Sequence, residues 1–127
     1  MRRAAFWVGL MLAVATLGLL RILTQEQGLQ FLSAILAAAA AVYIGAALSH
    51  PEKPGVVLET AMGVVFVGLA LAGLWMSSAA LAAGYFAHGG WDFLHHRRYL
   101  SADAGESFPV LCWAYDWVMG VAILWLF

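Results

Sequence analysis

The sequence predicts an all-α protein, a polytopic membrane helix bundle of five transmembrane helices with the N-terminus in the cytoplasm. Hydrophobic residues make up 65% of the 127 residues and charged residues only 10%, whereas soluble domains have about 45–50% and about 25%. Mean hydropathy is +0.89. Apolar runs of about 20 residues, the length that crosses a bilayer, follow one another with short polar breaks between them. We therefore expect residues 1–127 to form one transmembrane domain.

Polar or proline-containing segments mark the ends of three of the helices, which we predict at about residues 4–23, 29–49 and 108–127. A polar turn follows Leu23. Pro51 and Pro54 interrupt helix after the second run. Pro109 suits the first turn of the last helix, where its missing N–H costs nothing.

The run from Val56 to Arg98 has to contain two helices. It is 43 residues long without an internal basic residue, and as one helix it would measure about 65 Å, against a bilayer core of about 30 Å. We predict helices at about 56–75 and 79–97, with a break at Met76-Ser77-Ser78. Length alone predicts this break, because no glycine or proline lies there.

The basic residues set the orientation of the bundle. With five spans, Arg21 lies alone on one side, and the other side holds Arg2, Arg3, Lys53, Arg97 and Arg98. The positive-inside rule then places the N-terminus in the cytoplasm and the C-terminus outside. We expect a multi-pass protein of the cell inner (plasma) membrane.

The predicted fourth helix carries a polar face within its apolar sequence. His88, Asp92, His95 and His96 are spaced i, i+4, i+7 and i+8, which puts them on one side of a helix. Ionisable side chains inside a membrane are costly and usually mark a functional site. Helical rise places Asp92 about 8 Å and His88 about 13 Å deeper than Arg97.

Two further carboxylates are expected at comparable depth on neighbouring helices. By the same rise, Glu59 lies about 6 Å inside the third helix and Asp116 about 12 Å inside the fifth, with Cys112 one turn before it. Carboxylates grouped around a cation lose most of their cost of burial, whereas without one they would repel each other or take up protons. This grouping predicts a metal site or a proton site in the cytoplasmic half.

Imidazole together with carboxylate suits zinc or iron. We therefore predict a divalent metal cofactor, with zinc ahead of iron. The predicted ligands are His88, Asp92, His95, His96 and Asp116. Zinc-bound water has a pKa near 7 and supplies hydroxide for hydrolysis, and the predicted catalytic residues are Glu59, as general base, and Asp92. A di-iron centre ranks lower, since four histidines are few for it.

Several of these residues also have structural interpretations. His95-His96 beside Arg97-Arg98 is equally typical of a cationic headgroup anchor, and His88 with Asp92 of a packing hydrogen bond. Cys112 is expected as a small packing residue. Being the only cysteine, it excludes an internal disulfide.

Three hypotheses of function remain open, and the sequence does not decide whether the protein is an enzyme. The first is a metal-dependent hydrolase whose lipid-like substrate enters from the bilayer. The second is a proton- or cation-coupled transporter or channel subunit, which at this size would form a homo-oligomer. The sequence argues against it, since the outer halves of the helices lack polar residues. The third is a structural or assembly subunit. The lipid bilayer is the expected partner, and the net charge of -1 argues against nucleic acid.

Two motifs in about the last 40 residues carry a resemblance, namely His88-x-x-Trp91-Asp92-x-x-His95-His96 and Phe108-Pro109-x-x-Cys112-x-x-x-Asp116. They resemble a family of small, uncharacterised bacterial multi-pass membrane proteins. The resemblance supports the site residues and implies no reaction. A weaker similarity links the first motif to the His-x-x-His-His boxes of membrane fatty-acid hydroxylases and desaturases. Asp92 stands in the first histidine position here, and the other boxes are absent.

Overall fold

A computed structural model describes residues 2–49, 55–97, 100 and 104–127. This part of the chain folds into five α helices and contains no strand, so the all-α prediction is confirmed. The predicted loop residues Pro51, Lys53, Pro54 and Arg98 lie outside the described residues. The helices are α1 (Arg2–Leu20), α2 (Gln25–Leu48), α3 (Val56–Trp75), α4 (Ser78–His96) and α5 (Phe108–Leu126).

The helix α2 begins four residues earlier than the hydrophobic pattern indicates. Thr24 and Gln27 form a capping box, in which each side chain accepts a hydrogen bond from the other residue's backbone N–H, at 3.2 and 3.0 Å. These bonds satisfy two donors that a helix start otherwise leaves unpaired. The polar turn is therefore mostly the first turn of α2.

The long apolar run breaks at Met76 and Ser77, within the segment that its length predicts. The Ser77 hydroxyl caps α4 by accepting a hydrogen bond from the Ala79 N–H at 3.2 Å. Serine is a preferred residue at this position. The sequence thus contained a chemical signal for the break in addition to its length.

The helix α4 lies in the middle of the bundle. It packs against α5 and α3 and also contacts α2, while α1 packs mainly against α5. Leu81 and Tyr85 of α4 are fully buried in a core with Leu32, Met119 and Ile123 of its neighbours. The arrangement leaves α4 shielded by the other helices.

Four of the five helices, α1, α2, α3 and α5, are long and apolar enough to cross a membrane. The helix α4, which was predicted to span the membrane as well, is long enough at 19 residues but not apolar enough. The reason is its composition, since it carries three histidines and Asp92. Most of these polar side chains point into the bundle: His88, Asp92 and His95 are all buried.

Large apolar side chains cover the outside of the bundle. They include Trp7 and Val14 on α1, Val57 on α3 and Trp125 on α5, each more than 60% exposed. In a water-soluble protein such a surface would drive association. Against lipid it is the expected outer surface of a membrane bundle.

The packing of α1 on α5 depends on a glycine. A Cβ atom added to Gly9 would lie 2.3 Å from the backbone oxygen of Leu111, whereas one added to Gly18 on the same helix would have no atom within 4 Å. Backbone cannot move aside as a flexible side chain can. Small residues at such contacts let membrane helices approach closely.

We expect Gly9→Ala to lower the stability of the purified protein by about 1–3 kcal/mol, the usual cost of overpacking. The measurement is reversible unfolding in detergent micelles. Gly18→Ala is the matched control and should be neutral or stabilising, because alanine favours helix over glycine. Equal effects of the two substitutions would contradict the close contact.

Candidate metal site

His88 and Asp92 stand one turn apart on the buried face of α4, and Asp116 faces them from α5. His88 and Asp92 are fully buried and Asp116 is 2% exposed. The Nδ1 atom of His88 lies 2.7 Å from Oδ2 of Asp116 and 3.3 Å from Oδ2 of Asp92. One imidazole nitrogen is thus shared between two carboxylates in the interior of the bundle.

A glycine beside His88 makes this approach of α4 and α5 feasible. A Cβ atom on Gly89 would lie 3.2 Å from Cβ of Asp116 and 3.1 Å from the Trp117 ring. These separations are shorter than comfortable van der Waals contacts. The missing side chain therefore lets Asp116 come within hydrogen-bond distance of the neighbouring histidine.

The geometry of the three side chains suits a metal ion. Each offers one ligand atom, and these atoms all lie within 4.8 Å of one another. A tetrahedral zinc ion with bonds of about 2.0–2.1 Å holds its ligands about 3.3 Å apart. The 3.3 Å between Nδ1 of His88 and Oδ2 of Asp92 matches that value, whereas the 2.7 Å to Oδ2 of Asp116 is a hydrogen-bond distance and would have to widen by about 0.6 Å around an ion. The group of His88, Asp92 and Asp116 could hold a metal ion; its geometry does not identify which.

Two polar atoms of this group have no hydrogen-bond partner among the described residues, Oδ2 of Asp92 and Nε2 of His88. Both are buried. A buried polar atom without a partner costs about 1–3 kcal/mol, and more when the group is charged. A cation at Oδ2 of Asp92 would remove that cost.

Tyr43 of α2 completes the surroundings of Asp92. Its hydroxyl donates a hydrogen bond of 2.5 Å to Oδ1 of Asp92, and the residue is 2% exposed. Tyr43 was not among the site residues predicted from the sequence. Two features could have indicated it. Tyr43 lies five residues before the end of α2, and so about 8 Å inside the helix, and a buried tyrosine hydroxyl needs a hydrogen-bond partner.

Glu59 and His95 form a second buried pair, nearer the end of the bundle. The Nε2 atom of His95 lies 2.9 Å from Oε1 of Glu59, and the Trp91 indole donates to Oε2 at 3.0 Å. Both oxygens of the predicted base are therefore engaged. The predicted ligand His95 is held by Glu59 and by the Trp91 carbonyl oxygen, at 3.0 Å from Nδ1, outside the group formed by His88.

The two clusters are linked by an aromatic contact. The ring of Tyr43 stacks on the His95 ring with 4.0 Å between centroids, while its hydroxyl reaches Asp92. The predicted ligand His96 lies elsewhere, in a surface cavity with Arg97. Cys112 is buried one turn before Asp116 and within electrostatic range of Asp92.

A comparison with family models matches residues 4–127, a range that takes in all five helices, to a family of unknown function. The chain belongs to this family, DUF6010. The expected membership of an uncharacterised family is confirmed, over nearly the whole chain. No curated protein and no solved structure matches this DUF6010 chain.

Tyr43→Phe should destabilise the protein by about 1–3 kcal/mol, because Oδ1 of Asp92 would lose its donor in a buried setting. The measurement is unfolding in detergent micelles. In an Asp92→Ala background the same substitution should cost much less, since the partner is already gone. Equal costs in the two backgrounds would show that the hydroxyl does not act through Asp92.

Proposed function

We propose that this protein is a five-span membrane protein that binds one divalent transition-metal ion through His88, Asp92 and Asp116, with zinc ahead of iron. One observation carries the proposal: a histidine and two carboxylates converge in an apolar interior, and one carboxylate oxygen there accepts no hydrogen bond from the described residues.

In the protonation state that binds a metal ion, the charge of this group favours a cation. Two ionised carboxylates and a neutral imidazole carry two negative charges, and burying uncompensated charge is strongly unfavourable. A divalent cation balances both charges at once. Imidazole and carboxylate are also the ligands that zinc and iron accept.

The proposal includes α4 as the fifth span. At 19 residues it is about 28 Å long, close to the thickness of the bilayer core. Its polar side chains meet other helices rather than lipid, which is how membrane bundles accommodate ionisable residues. Arg2, Arg3 and Arg97 lie together at one end of the bundle, so this end and the N-terminus face the cytoplasm of a cell whose plasma membrane the protein crosses.

Metal-assisted hydrolysis of a lipid-like substrate is the reaction class that we propose for this site. Three protein ligands are typical of catalytic zinc sites, which keep a fourth position for water. The metal would lower the pKa of that water. Both oxygens of Glu59 are engaged by His95 and Trp91, and Asp92 would use Oδ1 for the Tyr43 hydroxyl and Oδ2 for the metal. The proposal therefore gives Asp92 the role of a ligand and assigns no general base.

The test of metal binding is elemental analysis of the purified protein, after reconstitution with zinc and, separately, with iron. We expect stoichiometric metal in the native protein and in His96→Ala, a control histidine on the same helix. His88→Ala should lose it because one of three ligands is removed, and Asp116→Asn should lose it because a neutral amide oxygen replaces an anionic ligand in a buried site. Circular dichroism confirms that each variant is folded.

Metal-free native protein after reconstitution would overturn the proposal. So would a folded Asp116→Asn variant that keeps the full metal content. If metal is bound, a screen of lipid esters and amides then tests hydrolysis, and activity lost in Asp116→Asn but not in His96→Ala is the result we expect.

A second function, passage of a cation, is favoured by one specific contact. The absence of polar residues from the outer halves of the helices was the argument against transport. Thr16 of α1, however, is buried, and its hydroxyl lies 3.2 Å from the hydroxyl of Tyr115. Tyr115 precedes Asp116 in the chain. Thr16 stands four residues before the end of α1, about 6 Å from it. Buried polar atoms therefore extend outward beyond the metal group.

Zinc uptake into proteoliposomes tests this second function. Cation passage predicts uptake that Thr16→Val reduces severalfold while the bound-metal content stays unchanged. Thr16→Ser, which keeps the hydroxyl, is the matched control and should leave the uptake unchanged. Proteoliposomes that take up no more zinc than protein-free vesicles would exclude cation passage.

A further inference from the structure

A cavity of about 350 Å³ opens between α1, α4 and α5 at the arginine-rich end of the bundle, away from the metal group. Its size is within the range of small-molecule sites. Two kinds of residue line the cavity: basic residues, and residues with aromatic or aliphatic side chains. The basic residues are Arg2, Arg3, His96 and Arg97, and the others are Phe6, Phe93, Pro109, Val110 and Trp113.

The rings of Phe6, Phe93 and Trp113, each from a different helix, form an aromatic wall on one side of the cavity. The Trp113 ring of α5 lies 6.0 Å from the Phe6 ring of α1 and 6.3 Å from the Phe93 ring of α4, measured between centroids. The wall is therefore held by the packing of the helices, and a ligand would meet a preformed surface. Phe93 is 41% exposed, so part of the wall is open to the outside.

The basic side chains around this wall are only partly neutralised. Arg2 pairs with Glu106 at 3.2 Å. Within the described ranges, the structure gives Arg3 and Arg97 no carboxylate partner, and the Arg97 guanidinium lies 5.4 Å above the Phe93 ring. Guanidinium groups match phosphate oxygens in a two-point geometry. The cavity therefore presents positive charge suited to a phosphate group.

We propose that this cavity binds an anionic phospholipid, with the lipid phosphate at Arg3 and Arg97 and the glycerol and first acyl carbons against the Trp113 wall. The combination of charge and apolar surface favours a lipid, since a free phosphate ion would use the arginines alone. The position fits as well: basic pockets between helices on the cytoplasmic side bind anionic headgroups, and aromatic rings sit at headgroup level. This site is independent of the metal group.

The experiment titrates the full-length protein in neutral detergent micelles with phosphatidylglycerol, phosphatidylcholine or inorganic phosphate, and follows the thermal unfolding midpoint. Phosphatidylglycerol should raise the midpoint saturably, while the other two should not. In the double variant Arg3→Gln/Arg97→Gln the apparent Kd should rise by about thirtyfold, the effect of two basic contacts. Both side chains are exposed, so the variant is expected to fold.

Arg21→Gln is the matched control, because Arg21 lies at the opposite end of α1 and lines no part of this cavity. It should leave the apparent Kd unchanged. An equal effect of Arg21→Gln would reduce the binding to general charge attraction and overturn the site. Equal binding of phosphatidylcholine would overturn the headgroup assignment, and saturation by inorganic phosphate alone would overturn the lipid assignment.

Discussion

The arrangement of the bundle depends on the burial of the polar face of α4. An ionisable side chain facing lipid near the bilayer centre costs about 2.5–3.5 kcal/mol on insertion scales, and α4 carries His88, Asp92 and His95 within two turns. The helix can cross a membrane only if other helices cover that face. The fold meets this requirement by placing α4 between α5, α3 and α2 and by giving its polar side chains partners from each of them.

Each partner comes from a different helix. Asp116 of α5 meets His88, Tyr43 of α2 meets Asp92, and Glu59 of α3 meets His95. Such contacts define the register of all three helices against α4, because a shift of one residue would move a partner by about 1.5 Å along the axis and by 100° around it. Apolar packing between membrane helices is less selective, since lipid is as apolar as the side chains that it replaces.

The adjacent residues His95 and His96 lie in different surroundings, because their side chains point in different directions from the helix. His95 is 7% exposed and points into the bundle at Glu59, while His96 lines the surface cavity with Arg97. Consecutive side chains on a helix differ by about 100° in direction. The two histidines therefore belong to two places, an internal polar network and an external basic cavity, although the sequence presents them as one motif.

Much of the helix arrangement follows from hydropathy and segment length alone. Hydropathy and length predict five helices, and the break near Ser77 follows from length because a 43-residue helix cannot fit a bilayer. Helical periodicity and depth also bring together His88, Asp92 and Asp116. The helix predictions succeed because helical rise and rotation are local and nearly invariant, so they can be derived from the sequence of a single chain.

Which polar atoms are in contact depends on how the helices pack against one another. Periodicity put His95 and His96 on the same face as His88, yet the packing of α3 brings Glu59 to His95. Among the described residues, no group of possible metal ligands includes His96. Tyr43 could not be assigned to Asp92, because which residues of α2 face α4 depends on rotation about the helix axis. That rotation is set by contacts between helices, including the close approach of Leu36 on α2 to Gly84 on α4, and such contacts leave no periodic signal in the sequence.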